Sequence, residues 1–143
     1  MFQTRESYRK AWDNASQETP EIPLCVDLEL ASLCNARCPS CFIPDPNFEA
    51  MIRQKSKDGR PRQRLMPKQM AFNLIDEACK LGIPSLKFNW RGESTLHPDY
   101  SEILRYAKFR RSFFDLLINS NFDFKEHALD GVMAATKIIV SLD

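Results

Sequence analysis

Apolar and polar residues alternate from Leu24 to Leu30, with Leu24, Val26, Leu28 and Leu30 on one face and Cys25, Asp27 and Glu29 on the other. That two-residue period predicts a strand with one polar face. Between Pro67 and Leu81 the period changes: Met70, Leu74, Ile75, Ala78 and Cys79 recur at helical spacing, Pro67 suits a first turn and Gly82 a C-terminal stop. The pattern then repeats. Ser85 to Trp90 predicts a second strand, and Pro98 to Arg111 a second helix whose buried face carries Tyr100, Ile103, Leu104 and Ala107. Asp115 to Asn121 predicts a third strand, Lys125 to Ala135 a third helix, and Ile138 to Asp143 a fourth strand. Residues 1–20 are polar, with Tyr8, Ala11, Trp12 and Ala15 at a weak helical spacing that ends before Pro20 and Pro23. They predict a loosely attached N-terminal helix, a polar extension ahead of a domain over residues 21–143.

Strands and helices in strict alternation imply parallel strands joined by right-handed crossovers. A doubly wound sheet and a segment of a barrel both satisfy that order. Either architecture places its site at the C-terminal ends of the strands. Polar residues occupy those ends: Glu29 on the first strand, Asn89 and Arg91 on the second, Asn119 and Asn121 on the third, Ser141 and Asp143 on the fourth. Within each strand they share one parity and therefore one face, as expected of a ligand pocket.

Charge adds little. Twenty Lys and Arg residues against nineteen Asp and Glu give a net charge of +1, which implies neither a nucleic-acid nor a membrane partner. No apolar run approaches the ~20 residues of a membrane-spanning helix, and Met1 to Glu6 has no signal-peptide core, so a cytoplasmic protein is expected. Local charge is uneven. From Pro44 to Met66 the chain carries Arg53, Lys55, Lys57, Arg60, Arg62 and Arg64 with Asp58 among them, which reads as an exposed basic loop over 43–66.

Five cysteines are an odd number for disulfide pairing, and three of them fall in Cys34-Asn35-Ala36-Arg37-Cys38-Pro39-Ser40-Cys41, on the loop after the first strand. Three soft ligands on a short loop point to a metal centre. Iron-sulfur clusters usually take four protein thiolates, so a three-thiolate loop leaves one iron open to a small molecule. Two other readings stay open on spacing alone: a zinc site of Cys34, Cys38, Cys41 and His97, or dithiol chemistry of the Cys38-Pro39-Ser40-Cys41 pair. Cys25 in a strand and Cys79 on a helix read as small core residues, and His97 before Pro98 as a helix-start residue.

With this loop the sequence resembles the radical S-adenosylmethionine (radical SAM) superfamily, whose hallmark is CxxxCxxC after the first strand of a partial barrel. Cys34, Cys38 and Cys41 match that spacing, and Glu29 matches the acidic residue that often precedes it. The family's Gly-Gly-Glu-Pro motif at the end of the second strand is similar to Arg91-Gly92-Glu93-Ser94. The resemblance implies a [4Fe-4S] cluster on Cys34, Cys38 and Cys41, with S-adenosylmethionine on the open iron through its amine and carboxylate. It implies reductive cleavage of the sulfonium bond, giving a 5'-deoxyadenosyl radical that takes a hydrogen atom from an unidentified small-molecule or peptide substrate. An external electron donor such as a flavodoxin or ferredoxin would supply the electron. Gly92 and Glu93 would face the methionyl amine, Asn121 would match the turn after strand three, and Ser141 and Asp143 would lie near the ribose and carboxylate.

The departures are specific. Ser40 stands where the family usually has an aromatic, with Phe42 just beyond Cys41; Arg91 and Ser94 replace a Gly and the Pro; Phe122 replaces the glycine of the third turn. The family core has six strand-helix units against four strands here, so the expected fold is α/β, a partial TIM-type barrel of about four parallel strands and three helices with the remainder of the barrel missing. Such a segment leaves the outer edge of its fourth strand unpaired. From a different class comes the alternative of a non-catalytic remnant that binds a metal or a partner without turnover.

Overall fold

A computed structural model describes residues 2–47, 65–110 and 112–141. Four parallel strands lie in the order β1-β2-β3-β4: β1 Val26–Asp27, β2 Ser85–Lys87, β3 Asp115–Ser120 and β4 Lys137–Val140. Helix α1 spans Arg5–Asn14, α2 Lys68–Lys80, α3 Tyr100–Arg110 and α4 Leu129–Ala134. The fold is α/β with parallel strands, as the alternation of elements predicted, and it is the segment of a TIM-type barrel that the resemblance implied.

Every second strand residue faces the helices. Leu28, Leu30, Leu86, Phe88, Leu116 and Ile118 are buried against Ala71, Ile75 and Ala78 of α2, Ile103, Leu104 and Ala107 of α3, and Val132 and Ala134 of α4. All three crossover helices join this one core, which is the arrangement of a barrel wall rather than of a doubly wound sheet. The opposite face carries the Asp27–Lys87 ion pair (3.6 Å) and, further toward the C-terminal ends, Asn89 and Asn119. The polar faces thus line the inside of the curve.

Several element bounds differ from the sequence pattern, each for a local reason. Ladder pairing of β1 covers two residues rather than Leu24 to Leu30, because the chain bends away after Leu28: Leu30 accepts from the Met66 N–H at 2.8 Å and Ala31 bridges antiparallel to Leu65. On α2 the packed stripe is Ala71, Ile75 and Ala78, while Met70 and Leu74 face outward. The two alanines let the helix lie close to the sheet. The third crossover opens with a 3₁₀ turn, Glu126–Ala128, before α4. At its centre Gly131 lies against Tyr100, where an added Cβ would sit 2.7 Å from the ring.

The N-terminal helix is docked, not loosely attached. Tyr8 is buried, stacks on Phe114 with centroids 5.6 Å apart, and donates its hydroxyl to Asp115 at 3.2 Å. Arg5 and Arg9 also bind Asp115, the first residue of β3. A capping box between Thr4 and Ser7 begins the helix. Helix α1 therefore closes the N-terminal end of the sheet and leaves the other end open.

At the β4 edge of the sheet, Ile138, Ile139 and Val140 are each about 40% accessible. A strand apolar on both faces has the composition of an interior parallel strand. No helix among the described residues is long and apolar enough to cross a membrane. Most of the basic loop, including Arg53, Lys55, Lys57, Arg60, Arg62 and Arg64, lies outside the described residues, as does Asp143.

Candidate functional site

At the C-terminal ends of the strands lies a cavity of about 250 Å³. Cys34, Cys38 and Cys41 line one side of it, Gly92 and Glu93 another, and Asn89, Asn119, Asn121 and Ser141 the sheet side. Of the residues expected to converge there, Asn89 and Arg91 after β2, Asn119 and Asn121 of β3 and its turn, and Ser141 after β4 do so, together with the cysteine loop that follows β1, while Asp143 lies outside the described residues. None of the five cysteines forms a disulfide among the described residues.

The Gly92-Glu93 pair is built against the cysteine loop. Gly92 has φ +69°, and an added Cβ would lie 2.4 Å from the Leu33 carbonyl oxygen and 2.6 Å from that of Ala31. Only glycine takes that conformation without strain at such a distance. One residue on, the Glu93 N–H donates to the Leu33 carbonyl at 2.8 Å. The segment leading into Cys34 is thereby clamped to the end of β2.

Glu93 is 2% exposed, and its carboxylate is well supplied with donors. Thr95 donates its N–H (3.2 Å) and hydroxyl (2.7 Å) to Oε1, capping the 3₁₀ turn Ser94–Leu96, and the Asn121 N–H donates to Oε2 at 2.8 Å. An ionised carboxylate offers about four acceptor sites, so three donors leave one open. A buried charge is tolerable when hydrogen-bonded in this way.

Asn121 carries the clamp to the third turn. Its amide donates to Asn35 Oδ1 at 2.8 Å, and Asn35 in turn donates to the carbonyl and carboxylate of Asp123, both at 2.9 Å. The Asn121 side chain is therefore committed to the cysteine loop as well as lining the cavity. Asp123 was not singled out by the sequence. The available signal was its place two residues after an asparagine, where the Asp123 N–H donates to Asn121 Oδ1 in an Asx turn. Ser141 is tied to β3 by its N–H to the Ser120 carbonyl at 2.9 Å.

Arg91 does not stand free at the mouth. Its guanidinium grips Glu29 through Nε (2.8 Å) and a terminal nitrogen (3.0 Å), a two-pronged pair in which the carboxylate raises the arginine's proton affinity further. Glu29 thus serves as the partner of Arg91 beside the cavity.

Electrostatics at Cys34 favour the protonated thiol. Burial pushes its pKa up, and the neighbouring charges of Glu93 and Cys41 add to the effect, against the lowering influence of the Ala36 and Asn35 N–H groups. A bound cation reverses that balance by stabilising the thiolate. Cys38 and Cys41 sit on one turn, with the Cys41 N–H donating to the Cys38 carbonyl at 3.0 Å.

Among the described residues no group of three or more His, Cys, Asp or Glu side chains is arranged to hold a metal ion. The Cys3His alternative is also not assembled. His97 is buried at the start of α3, with Nε2 against the Met66 carbonyl at 2.7 Å and Nδ1 accepting from the Asp99 N–H at 3.0 Å, so both ring nitrogens are occupied. It does serve as a helix-start residue.

No protein-family model matches the chain, and no curated protein matches it. Solved structures do. The structure of selenomethionine BtrN in an open conformation matches with a TM-score of 0.62 at 17% identity, over 85% of this chain and 51% of that one. BtrN in complex with AdoMet and 2-DOIA matches with a TM-score of 0.63 at 19% identity, over 85% of this chain and 46% of that one. The fold is radical SAM-like. At these identities the likeness is one of fold, and the chain spans about half the length of the structures it matches.

Proposed function

We propose that the chain carries the cofactor half of a radical SAM enzyme site, with Cys34, Cys38 and Cys41 holding a [4Fe-4S] cluster and S-adenosylmethionine binding beside it. The observation that carries this reading is the junction of two motifs from separate parts of the sequence: the three cysteines and Gly92-Glu93 line one cavity at the C-terminal ends of parallel strands. In a four-iron cluster each cysteine takes a different iron, so the sulfurs have to border a shared volume rather than converge on one point. Three thiols around one cavity suit that requirement. The likeness to a structure of BtrN with AdoMet bound is a second, independent support.

With both groups bound, the chemistry supplied is reductive cleavage of S-adenosylmethionine to a 5'-deoxyadenosyl radical, which abstracts hydrogen from a substrate. The chain's own residues bind and orient. Glu93 offers its remaining acceptor position to the methionyl amine, while Gly92 keeps the backbone close enough for that contact. Asn121, through Asn35, holds the cysteine loop against the turn after β3, and Ser141, just beyond β4, borders the ribose side. Glu29 neutralises Arg91, so the guanidinium steers the rim without competing for the zwitterion. Electrons come from an external donor of the flavodoxin or ferredoxin kind.

Anaerobic reconstitution tests the reading, with iron and sulfide analysis and electron paramagnetic resonance of the reduced protein with and without S-adenosylmethionine. About four irons per chain and a signal that changes with the cofactor are expected, both lost in Cys34→Ser, Cys38→Ser and Cys41→Ser. Zinc in place of iron, or no metal, overturns it. Detection of 5'-deoxyadenosine under strong reductant then separates an enzyme from a metal-binding remnant.

A further inference from the structure

Three residues close a ring of hydrogen bonds beside the cavity. Asn121 Nδ2 donates to Asn35 Oδ1 at 2.8 Å, Asn35 Nδ2 donates to Asp123 Oδ2 at 2.9 Å, and the Asp123 N–H returns to Asn121 Oδ1 at 2.9 Å. Asn35 thus commits both ends of its carboxamide to the turn after β3. Asn35 and Asp123 are exposed, where a hydrogen bond adds little net stability. The ring also spans a strained residue, Phe122, held between Asn121 and Asp123 at φ 64°. Strain kept at an exposed turn secures position rather than stability.

What the ring positions is the start of the cysteine loop. Asn35 follows Cys34 directly, and the N–H groups of Asn35 and Ala36 act on the Cys34 sulfur in favour of its thiolate. The carboxamide and the N–H of Asn35 share one Cα, so anchoring the first restricts where the second points.

We propose that Asn35 is a positioning residue for the cluster: anchored by Asn121 and Asp123, it aims the N–H groups of the loop at Cys34 and so sets the reduction potential of the iron-sulfur centre. This rests on the proposed function in taking a [4Fe-4S] cluster as the group on Cys34. Hydrogen bonds to the sulfur ligands and nearby net charge both set such a potential. Here they act in opposite directions. An N–H donor stabilises the reduced, more negative cluster, so losing it lowers the potential. A nearby carboxylate opposes the added electron, so losing its charge raises the potential.

Redox titration of the reconstituted chain, followed by electron paramagnetic resonance, separates the two. Asn35→Ala breaks the ring and keeps the Asp123 charge, so its midpoint should move to more negative potential. Asp123→Asn keeps an acceptor for Asn35 and removes the charge, so its midpoint should move to more positive potential. Asn121→Ala opens the same ring from outside the loop and should shift the midpoint in the direction of Asn35→Ala, which keeps the test decisive where Asn35→Ala loads no iron. In the metal-free chain, hydrogen exchange at the Ala36 amide should quicken by about 2- to 10-fold in Asn35→Ala, the ratio expected from losing one exposed hydrogen bond, and hold at the parent rate in Asp123→Asn. A loaded Asn35→Ala or Asn121→Ala chain with the parent midpoint, or with one moved in the direction of Asp123→Asn, overturns the inference and leaves the cluster assignment standing. A parent chain that assembles no cluster ends the proposed function and this inference with it.

Discussion

The Asn121 N–H donates to Glu93 Oε2 at 2.8 Å, so the end of β2 and the turn after β3 share one buried carboxylate. Thr95 donates to the other oxygen. Glu93→Gln keeps the shape and removes an acceptor: whichever way the amide is turned, its NH2 faces an N–H. We expect a loss of about 1–3 kcal/mol, the cost of leaving a buried donor unsatisfied, measured by urea unfolding. A variant as stable as the parent would show that the carboxylate is not the link between the two segments.

Most of this arrangement was legible in the sequence, and the exceptions are instructive. Asn89, Asn119, Asn121 and Ser141 reach one cavity because alternation along parallel strands fixes which side each residue faces. The same reasoning overestimated β1, since side-chain alternation continues through Leu30 while the backbone partner changes from β2 to the segment at Leu65 and Met66. Composition also misled at α1. A polar helix reads as loosely held, but its attachment is one buried tyrosine and a shared acid, Asp115, more than 100 residues away, and pairings at that separation leave no periodic trace. Arg91 could be placed at the rim but not paired with Glu29 until β1 and β2 were aligned.

Gly92 tests whether the second motif positions the first. Gly92→Ala adds a Cβ 2.4 Å from a backbone oxygen and forces a side-chain-bearing residue to φ +69°. Left-handed backbone and overpacking together should cost about 2–4 kcal/mol. Because the displaced atoms belong to Ala31 and Leu33, iron incorporation should fall with stability. Full cluster loading in a destabilised Gly92→Ala chain would separate Gly92 from the cysteine loop.

Asp115 accepts from Tyr8, Arg5 and Arg9 while itself 4% exposed. Asp115→Asn keeps the size and removes the charge that holds both arginines. The guanidiniums reach solvent, so the expected loss is about 1–2 kcal/mol rather than that of a fully buried pair. Hydrogen exchange should quicken over Arg5–Asn14 and leave α2 and α3 protected. Uniform destabilisation would mean that α1 and the sheet unfold as one unit.

Tyr100 is fully buried with its hydroxyl unpartnered among the described residues, and burial, with the Glu93 charge nearby, pushes its pKa up. The phenol therefore stays neutral through the ordinary pH range. Tyr100→Phe should be neutral or stabilising by up to about 1 kcal/mol, since it removes a desolvated hydroxyl and keeps the ring that Gly131 packs against. A clear drop in melting temperature would reveal a partner for that hydroxyl.

Phe122 occupies the position where the resembling family has glycine, and it has φ 64°, the conformation that glycine adopts freely. Its N–H is taken by Ser120 Oγ at 2.9 Å and its ring meets Phe124 edge-on at 4.9 Å, so the turn is held although the residue suits it poorly. Comparing Phe122→Asn with Phe122→Ala isolates the backbone contribution, because both lose the ring contact and only asparagine tolerates the left-handed region. Asparagine should be more stable by about 0.5–1 kcal/mol in thermal or urea unfolding. Since Asn121 and Asp123 flank this residue and bind Asn35 of the cysteine loop, the more stable turn should also load iron at least as well. Equal stability of the two variants would show that the turn relaxes away from the left-handed conformation once the ring is gone.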